Sequence, residues 1–286
     1  MVWGAVKMTR ALRILTLTLC SVALVLPGYA GQSPPRFLFH QGETLTYRVH
    51  LSAKGTGGTS AYACDLDGQV GLTVSKIHPD GTAEVQMSTS GKGNLDYGGE
   101  SARYGEEPRP RLVLVMKPNG TIAELRDLKG AKTSLLKDMF NLFNAGAVIQ
   151  AYAVGSYTMF GLQLPAKSLA PGEKWTGVHK REHGTGAQLD LAKMKVELQS
   201  ESVSFTYVGP RECQGKTCVA ISCSSGLKFG MRGNQTNIPG TFCFDSAEGR
   251  LISFDVHLAG WGTEKLDFDY SVVLDKVTPP GAKPGS

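Results

Sequence analysis

The feature that most constrains this chain is the alternation of apolar and polar residues in one segment after another. Leu45, Tyr47, Val49 and Leu51 alternate with Thr44, Thr46, Arg48 and His50, and Val70, Leu72 and Val74 alternate with Gly71, Thr73 and Ser75. The pattern returns at Val196 and Leu198, at Val203, Phe205 and Tyr207, at Ile252, Phe254, Val256 and Leu258, and from Leu266 through Leu274. Successive side chains of a strand point to opposite faces, so a period of two describes a strand with one face on a core and one in water. The run Leu112 to Met116 is apolar at every position and reads as a strand covered on both sides.

Turn chemistry joins these strands. His78-Pro79-Asp80-Gly81-Thr82 and Lys117-Pro118-Asn119-Gly120-Thr121 are near copies, and Ser246 to Arg250 is a looser third case. Proline presets the first turn dihedral and glycine supplies a positive φ. One segment departs from the pattern. Between Ala131 and Val154 the apolar residues Leu135, Leu136, Met139, Phe140, Phe143, Ala147 and Val148 follow helical spacing. The expected fold is therefore mainly β: a large curved antiparallel sheet or unclosed half-barrel, with one helical insert at about 131–154 covering a face. The polar stretch Gly91 to Pro110 reads as a mobile loop, and 279–286, with three prolines, as a disordered tail.

The N-terminus carries an address. Lys7, Arg10 and Arg13 precede an apolar run from Ile14 to Leu26, then Pro27, with Gly28 and Ala30 at the small-residue positions before Gly31. That is the layout of an export signal over residues 1–30, too short to be read as a membrane-spanning helix. A single β-rich domain over 31–278 is expected to follow, with two halves meeting near 155–171. The whole chain of 286 residues has a net charge of +5, and the three signal cations account for part of it, leaving about +2. So weak a charge implies no nucleic-acid footprint. With 41% apolar and 19% charged residues the chain is globular in composition.

Motifs for chemistry are sparse. Cys20 lies in the signal, leaving Cys64, Cys213, Cys218, Cys223 and Cys243. Export favours disulfides. Cys213 and Cys218 flank a short turn and are expected to pair; Cys223 and Cys243 are expected to pair across a hairpin centred near Gly233, although their strand parity would then require a bulge. Cys64 is left over. The C-x4-C-x4-C spacing is too open for a zinc knuckle. His179 and His183 stand four apart, but glycines on both sides argue for an extended segment that would hold them about 13 Å from each other. Neighbouring sequence gives His40, His50, His78 and His257 no carboxylate or thiol partner. Ser134-Leu135-Leu136-Lys137 matches S-x-x-K without the elements that accompany it in acyl-enzymes. Asp65/Asp67 and Asp267/Asp269 sit at strand parity and read as solvated faces. No metal, no cofactor and no catalytic residues are expected.

Two stretches carry a resemblance. Phe37 to Tyr47, FLFHQGETLTY, and Leu164 to Trp175, LPAKSLAPGEKW, are similar to bacterial exported proteins in which a G-E/D-x-x-x-Y strand is followed later by L-P…G-D/E-x-W. The pattern of many antiparallel strands with a helical cover resembles the periplasmic lipoprotein carriers of the LolA and LppX type. That resemblance implies an unclosed sheet and covering helices around an apolar cavity for acyl chains. On this basis the chain is expected to be a non-enzymatic protein of the cell envelope or extracellular space, binding a lipid or other apolar ligand between sheet and helix. Leu135, Met139, Phe140 and Phe143 of the helical stripe and Leu114 and Met116 of the apolar strand are the expected lining. The alternative is a structural or interaction module of the envelope with a filled core.

Overall fold

The computed structural model describes residues 33–57, 60–127, 161–179, 201–229, 234–261 and 265–282. Eleven strands lie among them: β1 (Thr44–Gly57), β2 (Ser60–Ile77), β3 (Ala83–Tyr97), β4 (Glu100–Met116), β5 (Ile122–Asp127), β6 (Lys174–His179), β7 (Glu201–Cys213), β8 (Lys216–Phe229), β9 (Asn234–Asp245), β10 (Arg250–Trp261) and β11 (Leu266–Thr278). They form one sheet in the order β5-β4-β3-β2-β1-β11-β10-β9-β8-β7-β6. Two meanders thus meet where β1 pairs antiparallel with β11, and the sheet is left open between β5 and β6. The expected mainly β, unclosed architecture is the one observed. The helical stretch expected at about 131–154, with Leu135, Met139, Phe140 and Phe143, lies outside the described residues, as do Val196, Leu198 and His183.

The curl of the sheet can be read from two hydrogen bonds. The Phe37 amide donates to the Pro118 carbonyl (2.7 Å), and the next amide, Leu38, donates to the Gly249 carbonyl (3.0 Å). These carbonyls belong to the β4–β5 and β9–β10 turns. With neighbouring strands about 4.8 Å apart, the five steps from β4 to β10 would span roughly 24 Å in a flat sheet. Only strong curvature brings both turns to adjacent residues. The base of the half-barrel is defined by these turns, and residues 33–43 cross it.

A second strap crosses the base between the free edges. Leu162 and Leu164 are buried, the Leu164 amide donates to the Asn119 carbonyl (2.8 Å), and Trp175 Nε1 of β6 donates to the Gln163 carbonyl (2.6 Å). Gly120 makes this possible. Its φ is +84°, and a Cβ there would fall inside van der Waals contact of the Leu162 carbonyl. The two matching turns form as their composition requires. Gly81 and Gly120 take φ of 82° and 84°, and the Asp80 and Asn119 side chains accept from the amides of Thr82 and Thr121.

The alternation sorts the faces. Tyr47, Val49, Leu51 and Ala53 of β1, Val70 of β2, Phe254, Val256 and Leu258 of β10, and Phe268, Tyr270 and Val272 of β11 form the inner core. Rings pass across the sheet from Trp175 to Phe205, Phe242, Phe254 and Tyr270 with centroids 4.3–6.3 Å apart. Buried aromatic groups of this size contribute most of the apolar area in such a core. At the base Tyr47 donates to the Leu251 carbonyl (3.2 Å), and Arg250 reaches Glu43 (3.5 Å) and Glu248 (2.8 Å).

Two expectations are corrected. Gly91 to Pro110 is not a loop: it is the far half of the β3–β4 hairpin, paired from Tyr97↔Glu100 back to Thr89↔Arg109. The backbone ladder forms there although the side chains alternate poorly, and shifts at Met87/Ser88 and Thr89/Gly91 absorb the irregularity. The cysteine pairing also differs. The disulfide joins Cys213 to Cys243, with Cα atoms 6.5 Å apart, and Cys218 and Cys223 are free. Register is the reason. Cys213 stands opposite Lys216 and Cys218 opposite Arg211, so the expected Cys213–Cys218 pair is diagonal. Cys223 stands opposite Gly240 with its thiol in the inner core, whereas Cys243 stands opposite Ala220 on the outer face, so the expected Cys223–Cys243 pair is on opposite sides of the sheet.

Candidate functional site

Over the four strands nearest the β1–β11 seam the inner face carries no charge. Among the described residues, inward positions from Leu45 to Gly55 of β1, Cys64 to Val74 of β2, Phe254 to Leu258 of β10 and Phe268 to Leu274 of β11 hold only apolar residues, tyrosine, cysteine and glycine. Leu114 and Met116, expected to line a ligand site, are buried in a second cluster with Val74, Ala83 and Val85, against Phe39, Leu72, Ile77 and Ile122. On the opposite face of β4 Val113 is buried too, while Val115 is only partly so.

Among the described residues, β9 and β10 part company partway along their length. The β9–β10 ladder runs from Asp245↔Arg250 only as far as Thr241↔Asp255, although both strands continue. Pro239 follows on β9, and a proline cannot donate a ladder hydrogen bond. Where the strands part there is a cleft of about 510 Å³. Cys223, Gly240, Val256 and Tyr270, residues of inner-face parity, contribute to its walls; Ser222, Thr241, Asp255, His257, Asp269, Ser271 and His50 contribute the polar part. Gly240 is required here, because a Cβ would stand 2.7 Å from the Phe254 ring. The cleft is therefore amphiphilic, with residues of inner-face parity and polar outer-face residues together in its walls.

The polar side is a belt of imidazoles and carboxylates across the outer face. His50 of β1 stands opposite Asp67 of β2 and Ser271 of β11, and His257 of β10 stands opposite Asp269 of β11. His50 Nδ1 lies 2.9 Å from Asp67 Oδ1, and His257 Nδ1 is in contact with Asp269 Oδ1. Ligand atoms of His50, Asp65 and Asp67 all lie within 4.8 Å of one another. Asp255 borders the cleft with its carboxyl held above the ordinary carboxylate value, chiefly by desolvation and against the opposing pull of Arg211. The sequence alone left these histidines without partners. His78 pairs with Glu84 across a turn (3.1 Å), but the partners of His50 and His257 come from register across the ladder. Only their polar position in otherwise apolar-alternating strands signals them in the sequence.

The free thiols are unsuited to nucleophilic work. Burial pushes Cys64 and Cys223 up to about 12 and raises Cys218 as well. A thiol so raised is almost wholly protonated at neutral pH.

No protein-family model and no curated protein sequence matches the chain. Among solved structures, the chain is similar to lipovitellin, in a structure concerned with lipid–protein interactions (TM-score 0.43, 10% identity), covering 87% of this chain and 27% of that one. It is also similar to a putative exported protein with a YmcC-like fold from Bacteroides fragilis (TM-score 0.32, 8% identity, 86% and 99% of the two chains). A third is the hypothetical lipoprotein YmcC from Escherichia coli (TM-score 0.24, 11% identity, 96% and 98%). The chain spans about a quarter of the lipovitellin chain.

Proposed function

We propose that this chain is an exported, non-enzymatic binding protein that holds an apolar or amphiphilic ligand against the inner face of its half-barrel. The observation that carries the reading is the split between β9 and β10, where a cleft has both apolar residues of inner-face parity and a polar outer belt in its walls. A ligand with an acyl or ring portion would place it against Val256 and Tyr270 and leave its polar end among Ser222, Thr241 and Ser271. Such pockets, mostly apolar with a few converging polar groups, are the usual form of small-ligand sites. The stripe Leu135, Met139, Phe140 and Phe143 is proposed to cover the ligand from the other side. The signal-like pattern of residues 1–30 supports export, and the disulfide suits it.

Native mass spectrometry of the protein purified from cell envelopes tests the reading. Discrete lipid-sized mass additions, lost on delipidation and regained as saturable binding of a fluorescent fatty acid, are expected. A bare chain mass together with no fluorescent response would leave the alternative, an envelope module with a filled core.

A further inference from the structure

We infer that His50, Asp65 and Asp67 form a binding site for a divalent transition-metal ion on the outer face of the sheet. Their ligand atoms, one imidazole nitrogen and two carboxylate oxygens, lie within 4.8 Å of one another. Donor atoms around a single ion at about 2.0–2.2 Å stand roughly 3–4.3 Å apart, so small side-chain rotations bring all three onto one ion. The donors are set by strand geometry rather than by a loop. His50 and Asp67 are directly opposed on the β1–β2 ladder, and Asp65 is two residues along β2 on the same face. The inner face fixes that register. A slip of β2 by one residue would turn Cys64, Leu66 and Val70 outward and the two aspartates into the core.

Charge balance favours a cation there. Asp67 has His50 beside it, and Lys92 stands opposite it on β3. Asp65 faces Ser52 on one side and Asn94 on the other and makes no ion pair among the described residues. Two like charges thus share one short stretch of strand, faced by one imidazole and by Lys92 opposite Asp67 alone. A dication answers both, and leaves coordination positions for water, because the protein supplies only three donors. One imidazole with two carboxylates suits ions of the zinc type better than calcium, which prefers an all-oxygen shell, or a thiolate-seeking ion. The site adjoins the cleft through His50, which lines both.

Isothermal titration of the purified protein with Zn²⁺ tests this, alongside His50→Ala, Asp65→Asn and the control His257→Ala. All three side chains reach solvent, and circular dichroism checks that each variant is folded. If one variant fails to fold, the other two donor substitutions, Asp67→Asn included, carry the comparison. The expected result is one Zn²⁺ per chain, with affinity lowered at least about 10–100-fold in the donor variants and unchanged in His257→Ala. The inference is overturned if the wild type takes up no Zn²⁺, if His50→Ala and Asp65→Asn bind as the wild type does, or if uptake is lost only on replacing His179 and His183.

Discussion

Cys213 and Cys243 are bonded across an intervening strand: one ends β7, the other lies on β9, and β8 runs between them in the sheet. The tip of the β7–β8 hairpin must therefore lean over the outer face. It does so from a register shift at Tyr207/Gly209, where Gly209 has a φ of 137°, and ends in a Gln214-Gly215 turn with both φ positive. Gln214 Nε2 then donates to the Leu274 carbonyl of β11 (3.1 Å), and Lys216 reaches Asp245 (3.6 Å). Beneath the tip, Cys218 and Ile252 are buried with the disulfide.

Non-reducing peptide mapping should recover the Cys213 and Cys243 peptides linked, with Cys218 and Cys223 as free thiols. The bridge closes a 30-residue separation. The chain-entropy treatment assigns such a loop about 3.5 kcal/mol, so Cys213→Ala with Cys243→Ala should lower the denaturant midpoint accordingly. A linked Cys213–Cys218 peptide would refute the assignment.

Cys64 and Cys223 should resist alkylation in the folded protein. With thiols near 12, roughly one in ten thousand is ionised at pH 8, and both are buried. Iodoacetamide at pH 8 should label them only after denaturant is added; rapid labelling of the native protein would show that burial does not hold the thiols protonated.

Gly120→Ala should destabilise the base by well over 1 kcal/mol. The substitution forces a side chain into a left-handed conformation and drives its Cβ against the Leu162 carbonyl and the Phe37 ring. Gly99→Ala, also at positive φ but with open space around it, is the control for conformation without the clash. Thermal unfolding of both variants should show the larger loss at Gly120, and equal losses would deny the strap its packing role.

Asp255→Asn should raise the melting temperature at pH 7. The carboxyl is held above its ordinary value by desolvation, so the folded state binds its proton more readily than the unfolded state does. The wild type accordingly gains stability as pH falls through the raised folded value toward the unfolded one. The advantage of the asparagine variant should shrink over that window and vanish below it. A variant that is less stable at pH 7 would mean the charge is favourably held, by Arg211, after all.

Val256→Trp should fill the apolar wall of the cleft. Weakened fluorescent fatty-acid binding in a protein that still melts cooperatively is the expected outcome of the ligand reading. Phe140→Ala offers the complementary test from the stripe proposed to cover the ligand: weaker binding with a modest loss of stability. Unchanged titrations in both variants would count against binding at this face.

The architecture was legible because it rests on a local rule. Alternation at Leu45–Leu51, Val70–Val74 and Phe254–Leu258 assigns each side chain a face before any partner is known, and Pro-Asp-Gly and Pro-Asn-Gly write their own turns. From these alone a mainly β, antiparallel meander follows; that the sheet is left open was only what the resemblance to the lipoprotein carriers implied, and the strand order shows it. What the alternation cannot carry is register. Which residue stands opposite which is decided by how two strands slide together over the whole core, and local composition is nearly blind to it. Register put Cys213 beside Cys243 rather than Cys218, gave His50 and His257 carboxylates from other strands, and ended the β9–β10 ladder at Thr241 and Asp255. The same is true of the polar stretch Gly91 to Pro110. Its side chains give a weak pattern, but its backbone groups still need partners, and β3 and β4 satisfy one another. The faces of this protein were set by its sequence residue by residue; its bridge, its cleft and its belt exist only because distant strands came to lie side by side.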